Sequence, residues 1–394
     1  MRYFTFYLLT VFLVMSISAF SQKPGEKKTR KGKKERVSVD SAFNKNSKTF
    51  VAIPIINNNP TMKTGFGANT MYIFKINKKD KKSQPSMVSL MGFYTTNKSY
   101  VVVPMASLFW NENKNRAMVV VGTVGINHDH TYTDEGTEEH PLDPPEDITL
   151  VYKEMKTFFW LEYSRKVIGD LYLGVNYSGA KVSYKFDQGT DEENQFTEDF
   201  FEKRGITDDF ISSLGLNIFF DSRDYVYYPT TGYQLVAKPK FYQTWLGSDN
   251  NYTDTDIKLI GYFSLRSNMV LASMIYGGFS TGDVPFSGYQ SYGMRNNLRG
   301  YPTGKYRGKY MITGQAELRW RFYRRWGAVF FAGTGSIWGS DDDEYNFATR
   351  SWLPAAGAGA RFMISRVKKI NIRVDYAIGV DGNMGLYFGM MEAF

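Results

Sequence analysis

The sequence predicts an all-β fold, a transmembrane antiparallel β-barrel of about 16 strands over residues 49–394. Three observations predict it. Aromatic residues make up 16% of the chain, with 28 Tyr, 30 Phe and 7 Trp, yet mean hydropathy is only −0.36. Polar and apolar residues alternate in strand-length segments from Phe50 onward. The connections between those segments are alternately long and short, as in outer-membrane barrels.

Composition excludes several alternatives. A helical membrane protein needs spans of about 20 apolar residues, and only the extreme N-terminus approaches that. Barrel strands escape a hydropathy average because inward polar residues alternate with outward apolar ones. The absence of cysteine excludes disulfides, thiolate metal sites, a Cys nucleophile and a lipoprotein anchor. The net charge of +9 is concentrated: Arg2 and the basic run 23–36 leave only +2 from Val37 onward. The charge therefore reports a tail and not a basic binding surface, and nucleic acid is not an expected partner.

Residues 1–21 read as a cleaved signal peptide. Arg2 supplies the positive start, 3–17 the apolar core, and Ala19 and Ser21 the small residues before a cut at Gln22; an uncleaved anchor is the alternative. Residues 22–48, charged and poor in apolar side chains, read as a basic disordered periplasmic tail. A solvated linker is its simpler role, and a tether to an anionic partner or membrane surface the other.

Strands follow. Gln315, Glu317, Arg319 and Arg321 alternate with Ala316, Leu318, Trp320 and Phe322. Asn371, Arg373 and Asp375 alternate with Ile370, Ile372, Val374 and Tyr376, and similar segments run over 171–178 and 214–221. Charged faces opposite aromatic-capped faces suit a lumen and a lipid wall. Long connections at 127–147, 186–209, 285–309 and 340–349 fall on one side of this count. Short ones at 111–114, 165–170, 266–269 and 324–327 fall on the other, the expected periplasmic side. Segments 78–84 and 221–232 are longer than that rule expects.

The long connections are acidic, including Asp129, Asp134, Glu135 and 341–344, while the short ones carry Lys78, Lys79, Arg324 and Arg325. Carboxylates there suit divalent cations bridging lipopolysaccharide, but without regular ligand spacing solvated loops are the simpler reading. His128, His130 and His140 all fall in the first acidic loop. His128-x-His130 is a weak metal motif, and no metal or other cofactor is assigned. With no His on an expected strand, a His–carboxylate pair in the wall is excluded, and no catalytic residue or enzyme activity is predicted.

Two segments go beyond generic barrel features. Leu298-Arg299-Gly300-Tyr301 lies in a long connection between two clear strands; Asp221-Ser222-Arg223-Asp224, with Pro229 and Gly232, lies at a strand–turn–strand junction. With Val51-Ala52-Ile53-Pro54, Gly65–Gly67 and the carboxy-terminal Phe394, these resemble the BamA/TamA family of outer-membrane assembly barrels (the bacterial surface antigen family) over 50–394. The resemblance implies that the loop tip folds into the lumen, that Arg299 pairs with Glu317, and that Asp221, Arg223, Asp224, Pro229 and Gly232 form a mid-barrel turn. It implies that Phe394 ends the final strand as an assembly signal. Arg319, Arg361, Arg373 and Asp375, inward by parity, would complete a network around Arg299.

Two departures stand out. Gly333 in Phe331-Ala332-Gly333-Thr334-Gly335 occupies the position of a family Asp that holds the loop arginine, which implies a weaker lock or one resting on Glu317 alone. Residues 22–50 leave no room for a periplasmic POTRA domain, so a barrel-only member is expected. The resemblance implies insertion or secretion of proteins through a seam between about 50–56 and 384–394 in the Gram-negative outer membrane. Gly385 and Gly389 would either weaken that seam or make room for bulky lumen neighbours. The alternatives are a non-catalytic scaffold or subunit of an envelope complex, and a gated passive channel. Expected partners are outer-membrane lipid and lipopolysaccharide, the barrel assembly machinery during its own insertion, and a periplasmic partner protein.

Overall fold

The computed structural model describes residues 49–59, 61–80, 82–136, 141–293, 298–339, 349–366 and 369–394. The expected signal peptide, basic tail, acidic run 341–344 and His140 lie outside them. Sixteen strands among the described residues close into one antiparallel barrel. The first eleven are β1 (Thr49–Asn59), β2 (Lys63–Phe74), β3 (Ser86–Thr95), β4 (Tyr100–Trp110), β5 (Asn115–Gly136), β6 (Pro141–Ile168), β7 (Leu171–Lys185), β8 (Asp209–Asp221), β9 (Gly232–Tyr242), β10 (Tyr252–Arg266) and β11 (Met269–Gly282). A separate short hairpin, β12 (Gln290–Ser291) and β13 (Arg307–Gly308), precedes the last five: β14 (Tyr310–Tyr323), β15 (Trp326–Trp338), β16 (Thr349–Ser365), β17 (Ile370–Ile378) and β18 (Met384–Met390). Each wall strand pairs with the next, β11 pairs with β14, and β18 returns to β1.

The wall inverts the distribution of a soluble protein. On β14, Gln315, Glu317 and Arg319 are buried while Trp320 and Phe322 are exposed. On β17, Asn371, Arg373 and Asp375 are buried while Tyr376 and Ile378 are exposed. Leu173 and Val175 on β7, and Leu214, Leu216 and Ile218 on β8, are exposed in the same way. Lipid solvates the apolar face, and pairing of neighbouring strands satisfies the backbone groups that hydrocarbon cannot hydrogen-bond, except along the β1–β18 seam. A slip of one residue would drive the charged set into lipid, so this patterning sets the register.

The first acidic connection differs from expectation. Residues 127–136 and 141–147 extend β5 and β6 as paired strands, in register from Asn115↔Arg165 to Asp134↔Glu146. A hairpin beyond the bilayer needs no apolar outer face, so alternation weakens although pairing continues. His128 and His130 therefore lie on β5 and are buried, which corrects the exclusion of His from the wall. Between β7 and β8 the connection contains a helix, α1 (Asp191–Lys203), started by a Thr190–Glu193 capping box and docked through Phe200 and Phe201.

Closure is uneven. β1 pairs with β2 from Thr49↔Ile73 to Asn59↔Lys63, whereas β1 meets β18 at the single pair Asn58↔Leu386. Toward the short-turn end, side chains replace this pairing. Val51 and Ile53 of β1 are buried in a cluster with Ile364 and Ile370, against which Ile372, Met390 and Met391 also pack. Burial of such side chains stabilises by about 1.5–3 kcal/mol each. The final strand ends at Met390, four residues before Phe394, which shortens the expected seam; Met391 turns out of it with φ +63°.

Candidate functional site

The connection between β11 and β14 re-enters the barrel, where Leu298, Arg299, Gly300 and Tyr301 are all buried. Glycine is required at the bend. Gly300 has φ +110°, and a Cβ there would lie 3.0–3.2 Å from the backbone of Ile378 and Gly379. Its N–H donates to the Tyr387 hydroxyl of β18 at 2.9 Å, and the Tyr301 hydroxyl donates to the Pro354 carbonyl of β16 at 2.5 Å. Leu298 and Tyr301 pack with Tyr276, Tyr292, Met311 and Ile337.

Arg299 is 1% exposed and fully engaged. Its Nη2 donates to Glu317 at 2.9 Å, Nη1 to Asp375 at 2.9 Å and Nε to the Gln315 side-chain carbonyl at 3.0 Å. The guanidinium also lies 3.6 Å from the centre of the Phe331 ring. Burying an arginine is tolerable only when each face and N–H is matched in this way. Of the two implications of Gly333, a weaker lock or one resting on Glu317 alone, the second does not hold, because Gln315 and Asp375 share the guanidinium. Gln315 sits opposite Gly333, where a Cβ would lie 2.6 Å from the Gly314 carbonyl and 3.1 Å from Gln315 Cβ. Gly333 thus leaves room for Gln315, and Asp375 brings the second carboxylate from β17.

The two acids carry the network onward. Glu317 also accepts from Arg319 Nε at 2.7 Å; Asp375 accepts from Arg361 Nη1 at 2.5 Å and from Arg373 Nη1 at 2.8 Å. Arg361 Nε donates to Glu392 at 2.9 Å, and Asn371 donates to the other Glu392 oxygen at 2.6 Å. Glu392 was not singled out from sequence, since it lies past the final strand and strand parity says nothing of it. Phe394 is corrected in position. It lies off the strand, packed against Ile260, Tyr262, Ala272 and Met274, with its carbonyl accepting from Arg319 Nη2 at 2.7 Å. Gly389 leaves space for Arg373, whose Nε would lie 2.7 Å from a Cβ there.

The root of the inward loop is held separately. Arg307 donates to Glu154 of β6 at 2.8 Å and to the Gly304 carbonyl at 2.9 Å. His128 Nε2 lies 3.6 Å from the same Glu154, and its ring stacks on Tyr152 at 4.6 Å. A His–carboxylate pair is therefore present in the wall. It adjoins the Arg307 anchor, and no sequence signal marks it, since 127–147 has the polarity of a loop.

The mid-barrel turn residues form a compact motif at the short-turn end. Asp221 accepts from Arg223 Nε at 2.7 Å and from Arg116 Nη1 of β5 at 2.9 Å. Asp224 accepts from the Thr230 N–H at 2.8 Å, the Thr230 hydroxyl at 2.7 Å and the Thr231 N–H at 3.2 Å. Partial burial opposes ionisation of Asp224, but these three donors outweigh it and hold its pKa below the usual value. Pro229 is buried just before Thr230, and Gly232 (φ +104°) would place a Cβ 2.4 Å from the Ser222 carbonyl. The length of this connection has a structural use. Tyr227 donates to the Pro85 carbonyl between β2 and β3 at 3.0 Å, and Lys369 lies over the Tyr225 and Tyr228 rings. The segment forms a floor across part of the short-turn mouth.

The Omp85 superfamily domain matches residues 151–394. No curated protein matches the sequence. Among solved structures, the chain is similar to BamA from Haemophilus ducreyi lacking POTRA domains 1–3, with TM-score 0.52 and 15% identity over 88% of this chain and 71% of that one. It is similar to CdiB from Acinetobacter baumannii, with TM-score 0.53 and 10% identity over 87% of this chain and 59% of that one. CdiB from Escherichia coli gives TM-score 0.56 and 11% identity over 87% and 62%. At these identities the likeness is one of fold, and the chain spans about three fifths of each CdiB chain. The domain match covers more than half of the sequence, and its residues include the inward tip, its acid partners and the sparsely paired β18: the chain belongs to the Omp85 superfamily of outer-membrane β-barrels.

Proposed function

We propose that this barrel takes part in outer-membrane protein insertion or secretion, acting at the seam between β1 and β18. The observation that carries the reading is the single β1–β18 register pair, against continuous pairing of β1 with β2. Strand edges with unused N–H and C=O groups template an incoming strand by β-augmentation. The inward tip supports the same reading. It grips β14, β16, β17 and β18 through Glu317, Pro354, Asp375 and Tyr387. That side of the seam is thereby stiffened, while β1 is joined to it by one register pair and by the apolar cluster around Val51 and Ile53. The role is non-catalytic, and Arg299, Glu317 and Asp375 serve as a lock on the tip.

Photo-crosslinking in living cells from positions along 50–56 and 384–390 tests this, with trapped proteins identified by mass spectrometry. Capture of many different outer-membrane barrels, or of one secreted substrate, supports insertion or secretion respectively. A single constant envelope partner identifies a scaffold instead. No capture at any seam position rejects a client-handling seam.

A further inference from the structure

At the short-turn end, inside the wall, lies a cavity of about 640 Å³ lined by Arg266, Arg321, Arg324, Arg366 and Lys369, with no acid among its described lining residues. Arg321 and Tyr228 also border a smaller recess containing Arg319, Arg361 and Glu392. Arg321 shares the inward parity of Arg319, whereas Trp320 and Phe322 are the exposed, lipid-facing residues of β14. Acids are present at the same end, with Asp224 close enough to Lys369 for that charge to lower its pKa, but none lines this cavity among the described residues.

Two further observations point to a ligand. Arg319 Nη1 and Arg361 Nη2 are buried and have no hydrogen-bond partner, although both side chains are only 5% exposed. Buried guanidinium N–H groups left unmatched are costly, and carboxylates are their best planar acceptors. The recess already seats one carboxylate of this kind. Glu392, on a segment outside any strand, lies 2.9 Å from Arg361 and 3.8 Å from Arg319, with Phe394 packed two residues later.

The geometry points to a docking site for an acidic, extended polypeptide segment entering from the short-turn side: an acidic tail or linker of a periplasmic protein, with Glu392 and Phe394 occupying its deep end. Five cations spread over the β10–β11, β14–β15 and β16–β17 turns match several carboxylates along a chain better than one compact anion. Opposite charge at such a mouth also steers arriving segments. The inference stands whether or not the seam accepts clients.

The test uses the full chain in nanodiscs of zwitterionic lipid and a fluorescent peptide of alternating Glu and Gly around one Phe, read by anisotropy. The Glu peptide is expected to bind at least about tenfold more tightly than its Gln counterpart, and binding should weaken as salt rises. The triple substitution Arg266→Ser, Arg321→Ser, Arg324→Ser leaves the buried network intact and should weaken binding by about tenfold or more. Arg324→Glu alone, on an exposed turn, provides a second variant with the same expected direction; retained heat-modifiability verifies folding of each. Equal binding of the Gln peptide, or full binding by both folded variants, overturns the site. Displacement by inorganic phosphate at concentrations similar to the peptide's would overturn the polypeptide assignment in favour of a general anion site. Binding that appears only when the nanodisc lipid is anionic would overturn it in favour of a membrane-surface effect.

Discussion

Arg299 and Asp375 stand 76 positions apart in sequence, yet Arg299 Nη1 donates to the Asp375 carboxylate at 2.9 Å inside the lumen. Glu317 completes the clasp from the other side, also at 2.9 Å. A loop tip and two wall strands are thereby joined through one guanidinium, and Asp375 and Glu317 extend the linkage to Arg361, Arg319 and Glu392.

Replacement of Arg299 by Ala would leave Glu317 and Asp375 sharing a buried site without their central cation. Removing one member of a buried ionic cluster destabilises by about 3–5 kcal/mol. The expected outcome is a lower temperature for the heat-modifiability shift and a higher conductance in planar bilayers. Arg299→Lys should rescue poorly, because a point charge cannot replace contacts to Gln315, Glu317, Asp375 and the Phe331 face. Conductance and heat-modifiability both unchanged in Arg299→Ala would refute the lock.

Gly333→Asp would supply the acid that the family resemblance implies at this position. It should nevertheless destabilise this barrel, by about 1–3 kcal/mol. The new Cβ would approach the Gly314 carbonyl and crowd Gln315, which already serves Arg299. Urea unfolding in detergent micelles measures the difference. A stabilised Gly333→Asp protein would show that Gln315 is dispensable.

Glu392→Gln should loosen the segment after β18, because it removes the charge between Arg361 and Arg319 while nearly preserving shape. Limited proteolysis should then cleave near Met391 more readily than in the parent. Phe394→Ala should act in the same direction through lost packing on Tyr262 and Met274. If instead Phe394→Ala lowers only the yield of inserted barrel, with unchanged stability once folded, the residue serves insertion and not the lumen contact.

Asp80 provides a pH test outside the membrane. Its carboxylate accepts from the Ser83 hydroxyl and from the N–H groups of Ser83, Lys82 and Glu112. Slight burial opposes the charge, but these donors bring the pKa down to about 2. A depressed carboxylate contributes stability that is present above the unfolded value and lost as pH falls through the folded one. Amide exchange in the 77–83 and 111–114 turns should therefore stay slow near pH 4 and accelerate toward pH 2 after correction for intrinsic rates. Asp80→Asn should abolish that extra acceleration.

Much of the wall was legible in the sequence because lipid imposes a local rule. Each strand must alternate, so Glu317, Arg319, Arg373 and Asp375 were assigned to the lumen by counting in twos. Alternating connection lengths also identified the short-turn end. The 127–147 hairpin was harder, since beyond the bilayer neither face is constrained and paired strand looks like loop. Helix α1 lies in an acidic connection whose composition equally suits a solvated loop, and only the Thr190–Glu193 capping box signals it.

The sequence by itself determined which residues face inward, through a period of two and an apolar solvent. Only the tertiary structure decided which inward residues meet. Partners across a lumen depend on strand number, stagger and tilt taken together, so Gln315 and Asp375 converge on Arg299 only once every register is set. The same holds for the segment after Met390: no lipid-facing pattern constrains it, and its seat among Arg319, Arg361 and Tyr262 exists only in the closed barrel.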